Sequence, residues 1–401
     1  MSDVLLARQL LTPLDIVSDA ALVMEDGRIS AVGRRSEISH PQGARVVDFG
    51  DAILAPGLID IHIHGGAGHD VMEGSEDALA AIERLMFQHG VTSYCPTTVT
   101  APVDATLASL EQLAKAGDVA SRSDVGSLRA RPLGIHLEGP FLSHVRRGVH
   151  PPELLQKASV ELFRRMWDAA GGKISVLTIA PEIDGALELI AEASRHGVRV
   201  SLGHSDADLD QTAAGIRAGA RHATHTFNAM RPLRHRDPGL LGTVLTDRNL
   251  TADIVADGIH VNPVVVDLFV RAKGIDGSVL ITDGISATGM PNGTYKLGPF
   301  EVEVRDGRCE VNGRLAGSVL FLDQAVRNAR DFAKISFRDS IRMATLNPAA
   351  CSGWTNARES SSPGLTPISW SSHRTGKCCR QSWAGCSPRT RRPCAFRAAL
   401  A

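Results

Sequence analysis

The 401-residue chain has few aromatic side chains, almost no net charge and no long apolar run. Aromatic residues make up 4% of the chain, and the formal net charge is −1. A balanced charge gives no reason to expect nucleic acid or an anionic membrane as a partner. No apolar run approaches transmembrane length, and the N-terminal residues lack the basic start and apolar core of a signal peptide. We therefore expect a cytoplasmic protein.

Cysteine and tryptophan are scarce in most of the chain and then become frequent. Only Cys95 and Cys309 precede residue 350, whereas Cys351, Cys378, Cys379, Cys386 and Cys394 follow it. Three of the four tryptophans also lie beyond residue 350. This abrupt change of composition separates residues 351–401 from the rest as an aberrant tail.

Two patterns divide the first 350 residues. Residues 1–56 show short apolar runs joined by turn residues such as Glu25, Asp26 and Gly27, which predict a small β domain. In residues 57–350, strand patterns alternate with helical patterns, and we count eight strands. The alternation predicts an α/β fold with a parallel sheet, and eight units predict a closed (β/α)₈ barrel of the TIM type.

Six polar side chains stand at the ends of the predicted barrel strands. They are His62, His64, Glu138, His204, His225 and Asp283. Active sites of such barrels lie at the C-terminal ends of the strands. Imidazole and carboxylate groups bind Zn²⁺ and similar ions, and six such groups fit two adjacent ions better than one tetrahedral ion. A carboxylate beside an ion-activated water can act as the proton shuttle, and Asp283 on the last strand is best placed for this.

Seven motifs of the chain resemble those of the amidohydrolase superfamily and, within it, the N-acetylglucosamine-6-phosphate deacetylase family. The first 350 residues carry "HIHGG", "HLEGPF", "SLGHS", "THTFNAM", "IVADGIHV", "ITDGISATG" and "LAGS". "HIHGG" alone is typical of the superfamily, whereas "HLEGPF" together with "THTFNAM" is more specific. The resemblance also implies that the small β domain is a sandwich completed by a C-terminal segment.

The resemblance implies a role for each matching position. Glu138, His204 and His225 correspond to the common metal ligands, and His62 and His64 to a variant that holds a second ion, so one or two Zn²⁺ ions are expected. Asp283 corresponds to the catalytic acid/base. The positions that correspond to substrate contacts are Val149, His150, Asn228, Ala229, Arg236, His260, Leu315, Ala316 and Gly317. Arg236 is expected to bind a sugar phosphate, Asp257 to orient the loop before His260, and the chain to form a homodimer.

The activity that the resemblance implies is hydrolysis of the N-acetyl group of N-acetylglucosamine 6-phosphate. A cyclic amidase such as a dihydroorotase or hydantoinase is the nearest alternative. Those enzymes usually carry a bridging lysine near the end of the fourth strand, whereas that strand here reads "SVLTIAPE" without lysine. A second alternative is a catalytically impaired metal-binding protein, because the tail is abnormal.

The tail is predicted to be translated in a shifted reading frame. Family members close with a strand of the type "PG-x-ADLVVL", and codons permitted for residues 366–372 encode Ala-Asp-Leu-Val-Val-Leu in another frame. We therefore expect residues 351–401 to be poorly ordered and to form no compact strand pair. Sequencing the gene from the codon for Ala350 onward tests this prediction. A gene in which no frame encodes that phrase would contradict it.

Overall fold

A computed structural model describes residues 2–12, 15–26, 28–122, 128–351, 368–372 and 378–382. Eight parallel strands with helices between them form its largest unit, so the predicted (β/α)₈ barrel is confirmed. The barrel strands are Leu58–Ile63, Val91–Thr98, Ile135–Glu138, Ile174–Ile179, Arg199–Leu202, His222–Ala223, Ala252–Val255 and Ser278–Ile281.

The barrel closes between its last and first strands. Ile63 and Gly284 form a parallel bridge, and the Asp283 N–H donates to the His62 carbonyl at 3.0 Å. Alternation along the first strand places Ile59, Ile61 and Ile63 in the apolar core that the helices cover. The intervening residues, including His62, therefore point to the barrel axis.

Helices cover the outside of the barrel. They span Glu76–Gln88, Val103–Arg122, Val160–Ala169, Ala186–Arg195, Leu209–Ala218, Gly239–Thr246, Pro263–Lys273, Leu322–Ala333, Phe337–Met343 and Leu346–Cys351. Short 3₁₀ turns lie at Val71–Glu73 and Pro152–Leu154. Within the described ranges, none of the helices combines the length and the apolar character needed to cross a bilayer.

The N-terminal residues form a small β domain beside the barrel. Its strands are Ser2–Leu11, Ile16–Glu25, Arg28–Arg34, Arg45–Asp48 and Ile53–Ala55. The first strand is the centre of the sheet, because it pairs with the second strand along one edge and with the fourth and fifth along the other. Apolar side chains lie on both faces: Leu5 and Leu22 belong to one cluster, and Val4 and Val23 to another.

A four-stranded antiparallel sheet that we did not predict follows the last barrel strand. Its strands are Gly293–Leu297, Phe300–Arg305, Arg308–Val311 and Arg314–Leu315. Three turns of two residues each join these strands, and the last two are Asp306-Gly307 and Asn312-Gly313, with φ angles of 51° and 81° and of 51° and 73°. Positive φ at both positions is the requirement of a type I′ hairpin turn. The sheet carries Leu315, Ala316 and Gly317 to the mouth of the barrel.

The expectation that the tail forms no strand pair is wrong for the part of it that the structure describes. Strands Ile368–Ser372 and Cys378–Ser382 pair antiparallel with each other, and the first also pairs with Ile53–Ala55. The physical reason is the open edge of Ile53–Ala55, whose unpaired backbone groups accept an added strand of almost any sequence. Residues 352–367, 373–377 and 383–401 lie outside the described residues, and the shifted frame stays a prediction.

Candidate metal and hydrolase site

The six polar strand-end residues meet at one end of the barrel. Glu138 ends the third strand, while His204, His225 and Asp283 each lie two residues beyond the end of the fifth, sixth and eighth strands. All six side chains are buried, with residue exposures between 0% for His62 and 8% for Asp283. Buried charges are costly unless they are paired or hold a metal, so such a cluster is unusual for a core.

Glu138 is shared by two groups that can hold a cation. Each group places its ligand atoms within 4.8 Å of one another: His62, His64 and Glu138 in one, and Glu138, His204 and His225 in the other. Glu138 Oε1 lies 3.3 Å from His204 Nε2 and 3.1 Å from His225 Nε2. Its Oε2 lies 3.4 Å from His64 Nε2. Oε1 also lies 3.6 Å from His62 Nε2, so the carboxylate contacts both groups and is suited to bridge two ions.

Two of the histidines have their tautomer fixed by backbone carbonyls. His64 Nδ1 lies 3.0 Å from the Thr97 carbonyl, and His204 Nδ1 lies 3.0 Å from the Arg146 carbonyl. A carbonyl only accepts, so both Nδ1 atoms carry hydrogen, and each Nε2 is left to offer its lone pair to a metal. Such a second hydrogen bond is the usual way in which a protein orients a metal-binding histidine.

The donor atoms themselves fit a divalent ion. His62 Nε2 lies 3.2 Å from His64 Nε2, and His204 Nε2 lies 3.0 Å from His225 Nε2. Burial would lower the pKa of His64 and of His225, yet the carboxylates Glu138 and Asp283 raise these pKa values to about 10 and about 9. The site therefore attracts positive charge. A metal ion can bind both nitrogens of a pair, whereas a proton is bonded to only one of them.

Three site residues occupy the left-handed region of the backbone. The φ angles are 47° for His204, 30° for His225 and 51° for Asp283. This conformation costs free energy for residues other than glycine and persists where neighbours hold it. The Ser318 N–H donates to the Asp283 carbonyl at 2.7 Å, and the buried Asp253 carboxylate accepts from the His225 N–H. These contacts hold the backbone of Asp283 and His225 so that their side chains turn inward beyond the strand ends.

Asp283 faces the first histidine pair. Its Oδ1 lies 3.2 Å from His64 Nε2 and 3.5 Å from His62 Nε2. Burial would raise the pKa of Asp283, but the hydrogen bond from His64 and the electrostatic influence of His62 outweigh it and hold the pKa well below its usual range. Asp283 is thus ionised and can accept a proton.

Two further histidines line the same cavity, each with a partner that fixes its ring. The Thr100 N–H donates to His150 Nδ1 at 3.3 Å, and burial together with the electrostatic influence of the neighbouring His204 lowers the pKa of His150 to about 3. His260 Nδ1 lies 2.7 Å from Asp257 Oδ2, and Asp257 Oδ1 accepts from the His260 N–H at 2.7 Å. The interpretation of Asp257 as the residue that orients this loop is confirmed.

A cavity of about 340 Å³ opens above these groups. Eight of the nine predicted substrate-contact residues line it, namely Val149, His150, Asn228, Ala229, His260, Leu315, Ala316 and Gly317. The ninth, Arg236, is exposed and does not line the cavity. Among the residues that the structure describes, Arg314 is the only arginine or lysine in the lining. Its place directly before the "LAGS" motif could have identified it from the sequence.

Other buried histidines have structural partners instead. His136 Nδ1 lies 3.0 Å from the Ile61 carbonyl, and its Nε2 lies 2.8 Å from Thr178 Oγ1, so both ring nitrogens are satisfied beneath the site. His222 Nε2 lies 3.0 Å from Asp253 Oδ2, the same carboxylate that holds the His225 backbone. Both histidines lie beneath the candidate ligands and help to hold them in place.

Comparison with known proteins identifies one family over most of the chain. Residues 53–357 match the model of the amidohydrolase family. N-acetylglucosamine-6-phosphate deacetylase of Bacillus subtilis (strain 168) is 36% identical over 85% of this chain and 85% of its own. N-acetylgalactosamine-6-phosphate deacetylase of Escherichia coli O157:H7 is 37% identical over 91% of this chain and 93% of its own.

Solved structures agree with these relatives. The crystal structure of N-acetyl-D-glucosamine-6-phosphate deacetylase from Mycobacterium smegmatis has a TM-score of 0.83 at 33% identity, over 92% of this chain and 95% of that chain. The deacetylase of Pasteurella multocida has a TM-score of 0.84 at 28% identity, over 95% and 98% of the two chains. With the family match covering most of the chain, the protein belongs to the amidohydrolase family.

Proposed function

We propose that the protein hydrolyses the N-acetyl group of N-acetylglucosamine 6-phosphate, giving glucosamine 6-phosphate and acetate. The observation that carries the proposal is the pair of histidine groups that share Glu138 next to Asp283 at the floor of an open cavity. The relatives named above act, by their names, on N-acetylated hexosamine 6-phosphates. The cyclic amidase alternative loses support, because strand Ile174–Ile179 carries no lysine and the shared carboxylate comes from the third strand instead.

Zn²⁺ is the ion we propose for the site, held by His62, His64, Glu138, His204 and His225. Imidazole and carboxylate ligands suit this ion. Lewis acidity supplied by a bound ion makes water acidic enough to attack at neutral pH and polarises an amide carbonyl. Every proposed ligand precedes the tail, and the intact Asp283 argues against a protein that binds metal without catalysis.

Asp283 is the proposed proton shuttle. Its carboxylate is ionised and faces the first histidine pair, so it can take a proton from the attacking water. Returning that proton to the departing nitrogen lets the carbon–nitrogen bond break with a neutral amine as leaving group. One residue thereby completes the proton balance of amide hydrolysis.

Substrate orientation is assigned to the residues around the cavity. His150 presents Nε2 to the cavity, where an N–H can donate to the carbonyl oxygen of the acetyl group. Asn228, Ala229 and His260 lie along the wall, and the loop of Leu315, Ala316 and Gly317 covers the sugar. A phosphate needs a fixed cation, and Arg314 supplies one in the lining. Phosphate binding by Arg236, the homodimer and the cytoplasmic location stay predictions.

Acetate release from phosphorylated amino sugars tests the proposed function. We expect the purified, Zn²⁺-supplemented protein to release acetate from N-acetylglucosamine 6-phosphate. N-acetylgalactosamine 6-phosphate belongs in the same assay, because a relative named for that substrate covers 91% of this chain. A faster reaction with the galactosamine compound would reassign the substrate, and no acetate from either would contradict the proposal.

Replacing Asp283 with asparagine should remove turnover while the site keeps its metal. Loss of an essential acid/base lowers kcat by roughly 10²- to 10⁴-fold, whereas the ligands His62, His64, Glu138, His204 and His225 are unchanged. Steady-state kinetics and metal analysis of the same preparation measure both quantities. Asp51→Asn, on the exposed surface of the small β domain, is the matched control. Turnover near that of the control would refute the role of Asp283.

Replacing Arg314 with alanine should weaken binding of the phosphorylated sugar only. We expect KM for N-acetylglucosamine 6-phosphate to rise roughly tenfold, because a charge-assisted pair to phosphate is lost from a partly solvated site. The unphosphorylated sugar should be unaffected. Arg308→Ala, on the same small sheet but outside the cavity, is the control. A rise after Arg236→Ala but none after Arg314→Ala would return the role to Arg236.

A further inference from the structure

Thr100 is a buried residue at the end of the second barrel strand that none of the motifs includes. It lies two residues beyond strand Val91–Thr98 and is 2% exposed. Its backbone N–H and its hydroxyl both contact one atom of the cavity wall. The Thr100 N–H lies 3.3 Å from His150 Nδ1, and the Thr100 Oγ1 lies 2.7 Å from the same nitrogen.

These two contacts define the tautomer of His150. A backbone N–H can only donate, so Nδ1 must be the acceptor and the ring hydrogen must sit on Nε2. With Nδ1 as an acceptor, the Thr100 hydroxyl also donates to it. His150 Nε2 then points its hydrogen toward the floor of the cavity, where Glu138 Oε2 lies 3.8 Å away.

The backbone beside Glu138 is shaped around the Thr100 hydroxyl. A side chain at Gly139 would place its Cβ 2.2 Å from Thr100 Oγ1 and 3.3 Å from Leu142. Gly139 has a φ angle of 75°, which other residues rarely adopt. Because Gly139, directly after Glu138, has no side chain, there is space for the Thr100 hydroxyl to reach His150.

We propose that Thr100 is a positioning residue, which holds the His150 ring as an Nε2–H donor aimed at the carbonyl oxygen of the substrate. The assignment of that oxygen rests on the proposed function, whereas the Thr100–His150 pair does not. Donors that are fixed before the reaction contribute most where negative charge develops, so the hydroxyl acts on turnover more than on binding.

Thr100→Val tests the proposal by removing the hydroxyl and keeping the shape and the backbone N–H. We expect kcat to fall roughly tenfold or more with KM changed less than twofold, since an interaction used in the transition state is weakened. Thr100→Ser keeps the hydroxyl and should restore most of kcat. Thr100→Ala removes the hydroxyl without adding volume beside Gly139. It replaces Thr100→Val in the test if the valine variant does not fold.

Thr98→Val is the matched control on the same strand. Thr98 is fully buried, and its hydroxyl has no hydrogen-bond partner among the described residues. We expect its kcat to equal that of the unchanged protein. If Thr100→Val matches this control, or if Thr100→Ser is as slow as Thr100→Val, the hydroxyl has no positioning role.

Nitrogen-15 NMR of the histidine rings gives a readout that does not depend on turnover. We expect His150, assigned by comparison with His150→Gln, to show a neutral ring with hydrogen on Nε2 and an acceptor Nδ1. The Nδ1 resonance should move in Thr100→Val and stay in Thr98→Val. A ring with hydrogen on Nδ1 would overturn the proposal even in an active enzyme. If the protein released no acetate, the proposed function would be wrong, but this measurement would still show whether Thr100 holds the His150 ring as proposed.

Discussion

One buried carboxylate holds the site together. Glu138 lies within 3.6 Å of the Nε2 atoms of His62, His64, His204 and His225. Burial would raise the pKa of Glu138, but the charge of His62 and hydrogen bonds from His204 and His225 hold it well below its usual range. A negative charge at this depth is stable only with positive charge around it. The two histidine pairs surround this charge, so the geometry of the site floor follows from Glu138.

The barrel supplies the rigidity that this arrangement requires. The candidate ligands lie at the ends of four strands: His62 and His64 at the end of the first, Glu138 at the end of the third, and His204 and His225 two residues beyond the fifth and sixth. The left-handed backbone of His204, His225 and Asp283 is held by hydrogen bonds with Ser143, Asp253 and Ser318, respectively. The strained backbone at these positions persists because the surrounding barrel holds it in place. Metal-facing side chains are therefore set by the fold rather than by flexible loops.

The sequence made the floor of the site predictable, and the wall only in part. Strand alternation and strand ends identify His62, His64, Glu138, His204, His225 and Asp283, because side-chain direction in a strand has a period of two residues. The contact between Thr100 and His150 spans 50 residues of chain, and no periodicity relates them. Arg314 reaches the cavity through two hairpin turns. Their Asp-Gly and Asn-Gly residues are hairpin signals that the sequence does contain. The tail strands depend on the open edge of Ile53–Ala55, which is a property of the folded sheet.

Anomalous X-ray diffraction at the zinc edge, from crystals of the full chain grown with Zn²⁺, tests the shared-carboxylate site most directly. We predict two anomalous peaks, one beside His62 and His64 and one beside His204 and His225, with a Glu138 oxygen bonded to each. A single peak at the second pair, or two peaks with Glu138 bonded to only one of them, would contradict the central role of this carboxylate.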